Sequence, residues 1–311
     1  MSGLRVAGLL LLSILPLSAV AQAWTQEAGR VYVRIIQGFA SADERYDSDG
    51  TVLPYDQDTG GGVRDRSTYL YTELGLTDRL TVSGMLPYKR VTVTDPTFTP
   101  TFERRSYAWG DARLGLRYDL GSILGLNDGP AVMALNVAAG LPLGYTRNYR
   151  PAVGPGQADL EAMLNVGRSL WPFPGYVQAG AGFRVRTAGF GLSTATTCEN
   201  GVDDEAHACL TDDEVRRDFG DEFLFSGEAG VALDFIEFQA LIDAVWSATA
   251  PQAEVVVQPE AFPRRRFVRV GAGVTVRGPA GIGLGVQVFV GAHAQNALKA
   301  TEWFVGVERH F

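Results

Sequence analysis

Twelve segments of this chain alternate apolar and polar residues, and the connections between them alternate short and long. The segments lie near 30–39, 67–76, 80–93, 107–119, 130–141, 157–168, 175–187, 219–234, 235–247, 265–277, 280–291 and 301–311. Period two places successive side chains on opposite faces of a strand. In one strand Asp111, Arg113, Gly115 and Arg117 therefore oppose Ala112, Leu114, Leu116 and Tyr118. In another, Gln157, Asp159, Glu161, Met163 and Asn165 oppose Ala158, Leu160, Ala162, Leu164 and Val166. The short connections carry turn residues, as in Thr77-Asp78-Arg79, Asn127-Asp128-Gly129, Trp171-Pro172-Phe173-Pro174 and Gly278-Pro279; strands eight and nine almost meet at Asp234. The long ones cover 40–66, 94–106, 142–156, 188–218, 248–264 and 292–300. An even strand count with strict long/short alternation gathers every long loop at one end and both termini at the other. The expected fold is all-β, an antiparallel up-and-down transmembrane barrel of about twelve strands.

Alternation alone does not say which face meets hydrocarbon, because a soluble barrel packs its apolar set inside. The chain ends decide. In the last strand Trp303, Val305, Val307 and Phe311 share one parity, while Phe304, Gly306, Glu308 and His310 share the other. A strand running to a terminal aromatic resembles the C-terminal signature of Gram-negative outer-membrane barrels, which makes Phe311 the candidate membrane-insertion signal. Arg309 on the apolar parity falls at the interface, where a charge costs little. Residues 1–23 read as a secretory signal peptide, with Arg5, an apolar run from Val6 to Leu17 and the cleavage site Ala21-Gln22-Ala23. That run is too short for a comfortable membrane helix, and no later segment reaches 18 uninterrupted apolar residues. Residues 24–311 then form one barrel domain. Its expected location is the outer membrane of a Gram-negative bacterium, and its expected partners are outer-membrane lipid and the barrel-assembly machinery. About six residues precede the first strand, too few for a plug domain. Aromatics fall in two groups: Trp171, Phe173 and Tyr176 at a short turn, and Tyr69, Tyr88, Tyr107, Trp109, Trp246 and Trp303 toward the long loops. Two such belts fit interfacial girdles.

The net charge of −8 gives a nucleic-acid partner no electrostatic support. It is concentrated in two long connections. Residues 40–66 hold seven acids and three bases, and residues 188–218 hold eight acids and two bases. Two solvated loops on a nearly neutral body follow. The only cysteines, Cys198 and Cys209, lie in the second loop. In an exported chain they are expected as a disulfide. A metal site sharing His207 would fall one ligand short of a closed zinc site. Asp47-Ser48-Asp49-Gly50 lacks the remaining ligands of a calcium loop, and no cofactor or metal is expected.

The inner face carries the candidate functional residues. Its acids are Glu73, Asp111, Asp159, Glu161, Glu222, Glu228, Glu237, Asp243, Glu302 and Glu308; its bases are Lys89, Arg113, Arg117, Arg184, Arg186, Arg269 and Arg277. Mixed signs in a narrow lumen should pair, since an unpaired charge away from water is costly. They either brace the wall or select solutes along a permeation path. Arg184, Arg186 and Asp243 fall nearest the outer mouth. Twelve strands lie between a filled eight-stranded interior and a sixteen-stranded water channel, which leaves room for a narrow pore or a small cavity. Enzymatic chemistry finds little: the only histidines are His207, His293 and His310, and none has a serine and an acid spaced as a nucleophilic triad.

Several segments resemble a known family. Ala23-Trp24-Thr25-Gln26, the run Tyr71 to Val82, Leu86-Pro87-Tyr88 and Gly110 to Tyr118 are similar to the outer-membrane barrels grouped as MetA-pathway-of-phenol-degradation proteins. The likeness is clearest over the first 120 residues or so. It implies a channel or transporter for small, often hydrophobic or aromatic solutes and supplies no binding residues. The rival expectation is a structural or adhesive barrel whose acidic outer loops hold a partner.

Overall fold

The computed structural model describes residues 23–55, 61–95, 102–125, 131–145, 149–151, 153–187, 208–209, 219–251, 264–278 and 281–311. Residues 1–22 of the expected signal peptide, His207 and Cys198 lie outside that set, as does the side chain of Cys209. Twelve strands form the wall: β1 (Val31–Ala42), β2 (Gly62–Thr77), β3 (Leu80–Asp95), β4 (Phe102–Trp109 continued by Asp111–Asp119), β5 (Ala131–Pro142), β6 (Asp159–Ser169), β7 (Gly175–Arg186), β8 (Glu222–Leu233), β9 (Ile236–Ser247), β10 (Arg266–Arg277), β11 (Ile282–Gln295) and β12 (Thr301–His310). Each pairs antiparallel with its sequence neighbours, and β1 pairs with β12 from Tyr32↔His310 to Ser41↔Thr301, closing the ring. The order follows from the connections, since a short turn can join only adjacent antiparallel strands. The turn at Asp234, with φ 47°, joins β8 to β9 in two residues.

β4 is one wall strand interrupted by a bulge. Its register on β3 shifts between Tyr88↔Trp109 and Met85↔Arg113, and the Gly110 N–H donates to the Pro87 carbonyl at 2.9 Å. Pro87 has no N–H for the ladder, and a bulge is where a wall tolerates that. A Cβ at Gly110 would lie 3.1 Å from Lys89 Cδ.

The faces divide as the sequence parity predicts. Ile35, Leu114, Leu116, Leu160, Leu284, Val305 and Val307 are exposed on the outside of the ring. Arg34, Glu73, Arg117, Glu161, Glu222, Glu237 and Glu308 are buried on the inside. The apolar surface is thus turned outward, as a lipid-facing wall requires. Two aromatics leave the expected girdles. Tyr176 is buried and points inward, and Tyr69 packs on the inward Phe304 at 6.4 Å between ring centroids. Both have inward parity on their strands, and parity overrides nearness to a turn. The outward Trp171, Phe173, Phe235 and Phe311 at one rim, and Tyr88, Tyr107, Trp109, Trp246 and Trp303 toward the other, remain exposed.

At the outer end, Glu44–Tyr46, Val52–Pro54 and Ala297–Leu298 form a small three-stranded sheet joining the loop after β1 to the loop before β12. Within it the Asp47 carboxylate accepts the Asp49, Gly50 and Thr51 N–H groups at 2.9 to 3.1 Å. That carboxylate shapes a turn. A buried apolar cluster of Tyr55, Val63, Val91, Val93, Tyr145 and Val153 lies just inside the mouth. It brings the loops after β1 and β5 down onto the inner faces of β2 and β3.

Candidate functional site

The lumen has two charged tiers with cavities beside the upper one. The lower tier lies near the short-turn end. Arg117 donates to Glu73 at 2.9 Å and to Asn136 at 2.9 Å. Glu308 accepts from Tyr32 Oη at 2.8 Å and pairs with Arg34 at 3.6 Å. Glu237 pairs with Arg277 and accepts from Tyr176 Oη at 2.9 Å. Glu228 accepts from Tyr176 Oη, and from Gln178 Nε2 at 2.8 Å. A Cβ at Gly230 would lie 2.2 Å from the Tyr176 ring, so that glycine makes the space the phenol occupies. These contacts tie β1, β2, β4, β5, β7, β8, β9, β10 and β12 across the ring.

The upper tier centres on Glu222, fully buried at the start of β8. It receives Arg184 at 2.8 Å, Arg186 at 3.0 Å and Arg265 at 3.1 Å. Arg184 also donates to Glu161 at 2.9 Å, and Glu161 pairs in turn with Arg113. Asp159 lies 3.9 Å from Arg186 and accepts from Gln157 Nε2 at 2.6 Å. Asp111 accepts from Tyr145 Oη at 2.6 Å, and the same oxygen accepts the Gly156 N–H at 2.6 Å. The loop after β5 is thereby pinned inside the barrel by Asp111.

Pro155 on that loop lines two cavities. One, of about 230 Å³, has the charged side chains of Asp111, Arg113, Asp159, Glu161 and Arg184 in its lining. The other, of about 380 Å³, has an aromatic wall of Tyr69, Phe289 and Phe304. Phe289 meets Phe304 edge to face at 6.0 Å, and the Arg269 guanidinium lies 4.7 Å over the Phe289 ring. Arg269 is held by Asp243 at 3.1 Å and Glu302 at 2.6 Å, and Lys89 by Asp65 at 3.0 Å. A Cβ at Gly38 would lie 3.0 Å from Tyr69 and 3.2 Å from Phe304, so the glycine keeps this floor open. The second cavity has the size and lining of a small-ligand site: apolar walls with a few fixed polar groups.

Every lumen residue expected from parity is found inside. Glu73, Arg117, Glu228, Glu237 and Arg277 belong to the lower tier; Asp111, Arg113, Asp159, Glu161, Arg184 and Arg186 belong to the upper one; Asp243 and Arg269 flank the aromatic cavity. Pairing runs across neighbouring and more distant strands, which parity does not reveal. Arg34 and Arg265 were legible in principle, since they share inward parity with Tyr32 and Phe267. Tyr145 and Trp24 lie outside any strand and carried no periodic signal. The short segment before β1 departs from expectation: residues 23–26 enter the lumen. Arg117 Nη1 donates to the Trp24 carbonyl at 2.8 Å, and the Trp24 ring stands edge-on to Tyr176 at 5.9 Å.

No family model and no curated protein matches the chain. Among solved structures, the COG4313 outer membrane channel from Pseudomonas putida F1 is similar, with TM-score 0.68 and 14% identity over 94% of this chain and 98% of that one. The NanC porin gives TM-score 0.49 and 5% identity, covering 89% and 98% of the two chains. The Pseudomonas putida toluene transporter TodX gives 0.41 and 7%, covering 94% and 93%. At these identities the first likeness establishes the fold, a closed twelve-stranded barrel of outer-membrane type.

Proposed function

We propose that the chain is an outer-membrane channel through which small solutes with an apolar or aromatic body diffuse passively. The observation that carries this reading is the aromatic cavity of about 380 Å³ inside a wall whose outer surface is apolar. Tyr69, Phe289 and Phe304 offer ring faces and edges to a flat apolar solute, while Arg269 and Lys89 supply fixed polar contacts at its rim. The fold shared with an outer membrane channel and the family resemblance of the first 120 residues support it. The upper tier balances four acids against four bases and the lower tier sets four acids against three bases, so the path is polar and only weakly favours cations. The proposed location is the outer membrane, reached after removal of the N-terminal signal peptide and assembly by the machinery that inserts such barrels.

Planar-bilayer recording of the purified barrel tests this. The expected result is a small, weakly ion-selective conductance that phenol, added to the long-loop side, blocks in a dose-dependent way. Phe289→Ala combined with Phe304→Ala should weaken that block about tenfold, from roughly 0.5–1.5 kcal/mol per aromatic contact. Phenol block equally strong in the double variant would remove the cavity from the path. The absence of both current and phenol binding would remove the channel.

A further inference from the structure

The outer ends of β2, β3 and β4 turn four arginines away from the lumen. Val63, Ser67, Val91 and Arg104 are buried on the inside of these strands. Their sequence neighbours Arg64, Arg66, Arg90 and Arg105 therefore point outward, and all four are exposed. The register gathers them into one patch. Arg66 stands directly opposite Arg90, and Thr92 stands between Arg64 on one side and Arg105 on the other. Two acids border the patch on its outer side: Glu103, which pairs with Arg105, and Asp43, whose Oδ1 lies 2.5 Å from where a Gly62 Cβ would stand. Asp65 is turned inward to Lys89. Among the described residues no carboxylate pairs with Arg64, Arg66 or Arg90. Like charges directly opposite each other in a sheet repel, so the facing pair Arg66 and Arg90 calls for an anion from outside the chain.

We infer that this patch binds the phosphate groups of a phosphorylated glycolipid in the outer leaflet. Its depth fits a headgroup. The row Phe39, Arg66, Arg90, Tyr107 runs across β1 to β4 at one level. Two residues nearer the midplane, about 7 Å along the strands, Tyr88 and Trp109 pack edge to face at 5.3 Å. Exposed aromatics of this kind mark the interface between hydrocarbon and headgroups, and the arginines sit at that interface and just beyond it. Adjacent strands lie about 4.8 Å apart, so Arg66 and Arg90 hold one phosphate between them. Arg64 and Arg105, two strands apart, reach a second. The guanidinium fork matches phosphate oxygens two at a time, and the aromatic row gives the acyl chains an apolar bed below. The site lies on the lipid side of the wall, outside the permeation path. This inference rests on the outer-membrane location proposed above and is independent of what passes the lumen.

The experiment places the purified barrel in phosphatidylcholine nanodiscs titrated with diphosphoryl lipid A, and native mass spectrometry counts the lipid that stays bound. Removing both phosphates from the lipid should lower its affinity about tenfold, and Arg66→Gln combined with Arg90→Gln should do the same. Arg309→Gln, whose side chain lies over Phe311 at the opposite rim, should leave it unchanged. Urea unfolding supplies a second readout. Without lipid A, Arg66→Gln relieves a like-charge contact and should not lower the midpoint. With lipid A, it should fall below the parent. A purely structural role would shift both midpoints alike. Equal lipid A affinity in the double variant, or dephosphorylated lipid bound as tightly as the diphosphoryl form, would overturn the site. Displacement of the bound lipid by an equal concentration of inorganic phosphate would overturn a lipid as its occupant. The double variant should keep the parent's phenol block, so failure of the lipid site leaves the channel reading standing. A parent that stays soluble outside the discs would sink the lipid-facing wall itself, and the patch with it.

Discussion

Glu222→Ala should unfold at much lower urea than the parent, with a loss of about 3–5 kcal/mol. Glu222 is the single carboxylate on which Arg184, Arg186 and Arg265 converge, and none of its side chain is exposed. Truncation leaves three guanidinium groups facing one another where water is scarce. The cost is therefore the desolvation and mutual repulsion of the survivors, and it exceeds the net worth of the pairs themselves. Glu222→Gln keeps the acceptor oxygen and should lose less. Glu44→Ala is the control, since Glu44 pairs with Lys299 at 2.7 Å on the surface with half of its side chain exposed. An exposed pair of this kind contributes about 0–1 kcal/mol. Urea unfolding in detergent micelles, followed by tryptophan emission and by heat-modifiable gel mobility, separates the three. Equal midpoints for Glu222→Ala and Glu44→Ala would show that the upper tier is hydrated and does not brace the wall.

Leu116→Arg should cost about 1–2 kcal/mol, between the penalty for arginine on the lipid face at the bilayer midplane and the smaller one near the short-turn interface. Leu116 lies on the outer face of β4 and is 52% exposed, next in sequence to the buried inward Arg117. One residue along the strand reverses the preference, because the pleat turns alternate side chains to hydrocarbon and to the lumen. The same urea titration in phospholipid vesicles measures the loss. If Leu116→Arg instead folds in buffer without detergent and matches the parent, the outer surface does not meet lipid and the wall is inside out.

The wall was legible because a two-residue period is hard to imitate. In 267–277, Phe267, Arg269, Gly271, Gly273, Thr275 and Arg277 were already assigned inward from the sequence, and β10 presents them so. Strand order was legible from the turns. The pairing of charges was not, because parity gives a residue's face and leaves its height in the ring open. Glu161 thus meets Arg184 on the neighbouring strand and also Arg113 two strands away on the other side. Segments without a period were the real gap. Nothing in the local pattern around Tyr145 announces that its hydroxyl will reach Asp111, and nothing around Trp24 announces Arg117. A cue did exist in Gly75 and Gly167. Both are inward glycines on strands whose other inward positions carry larger side chains, and each leaves room for the chain that crosses it.

The small sheet of Glu44–Tyr46, Val52–Pro54 and Ala297–Leu298 has a consequence for how the ring holds together. All but one of the wall contacts join neighbours in sequence; only the β1–β12 seam brings the two chain ends together, so it carries the largest loop-closure entropy. The little sheet straddles that joint, reinforced by the Asn296 N–H to the Asp47 carbonyl at 2.8 Å and the Lys299 N–H to the Glu44 carbonyl at 2.9 Å. It acts as a clasp over a zip: the first and last staves cannot peel apart from the outer rim without undoing it. Mechanical or thermal opening should therefore begin at the opposite rim.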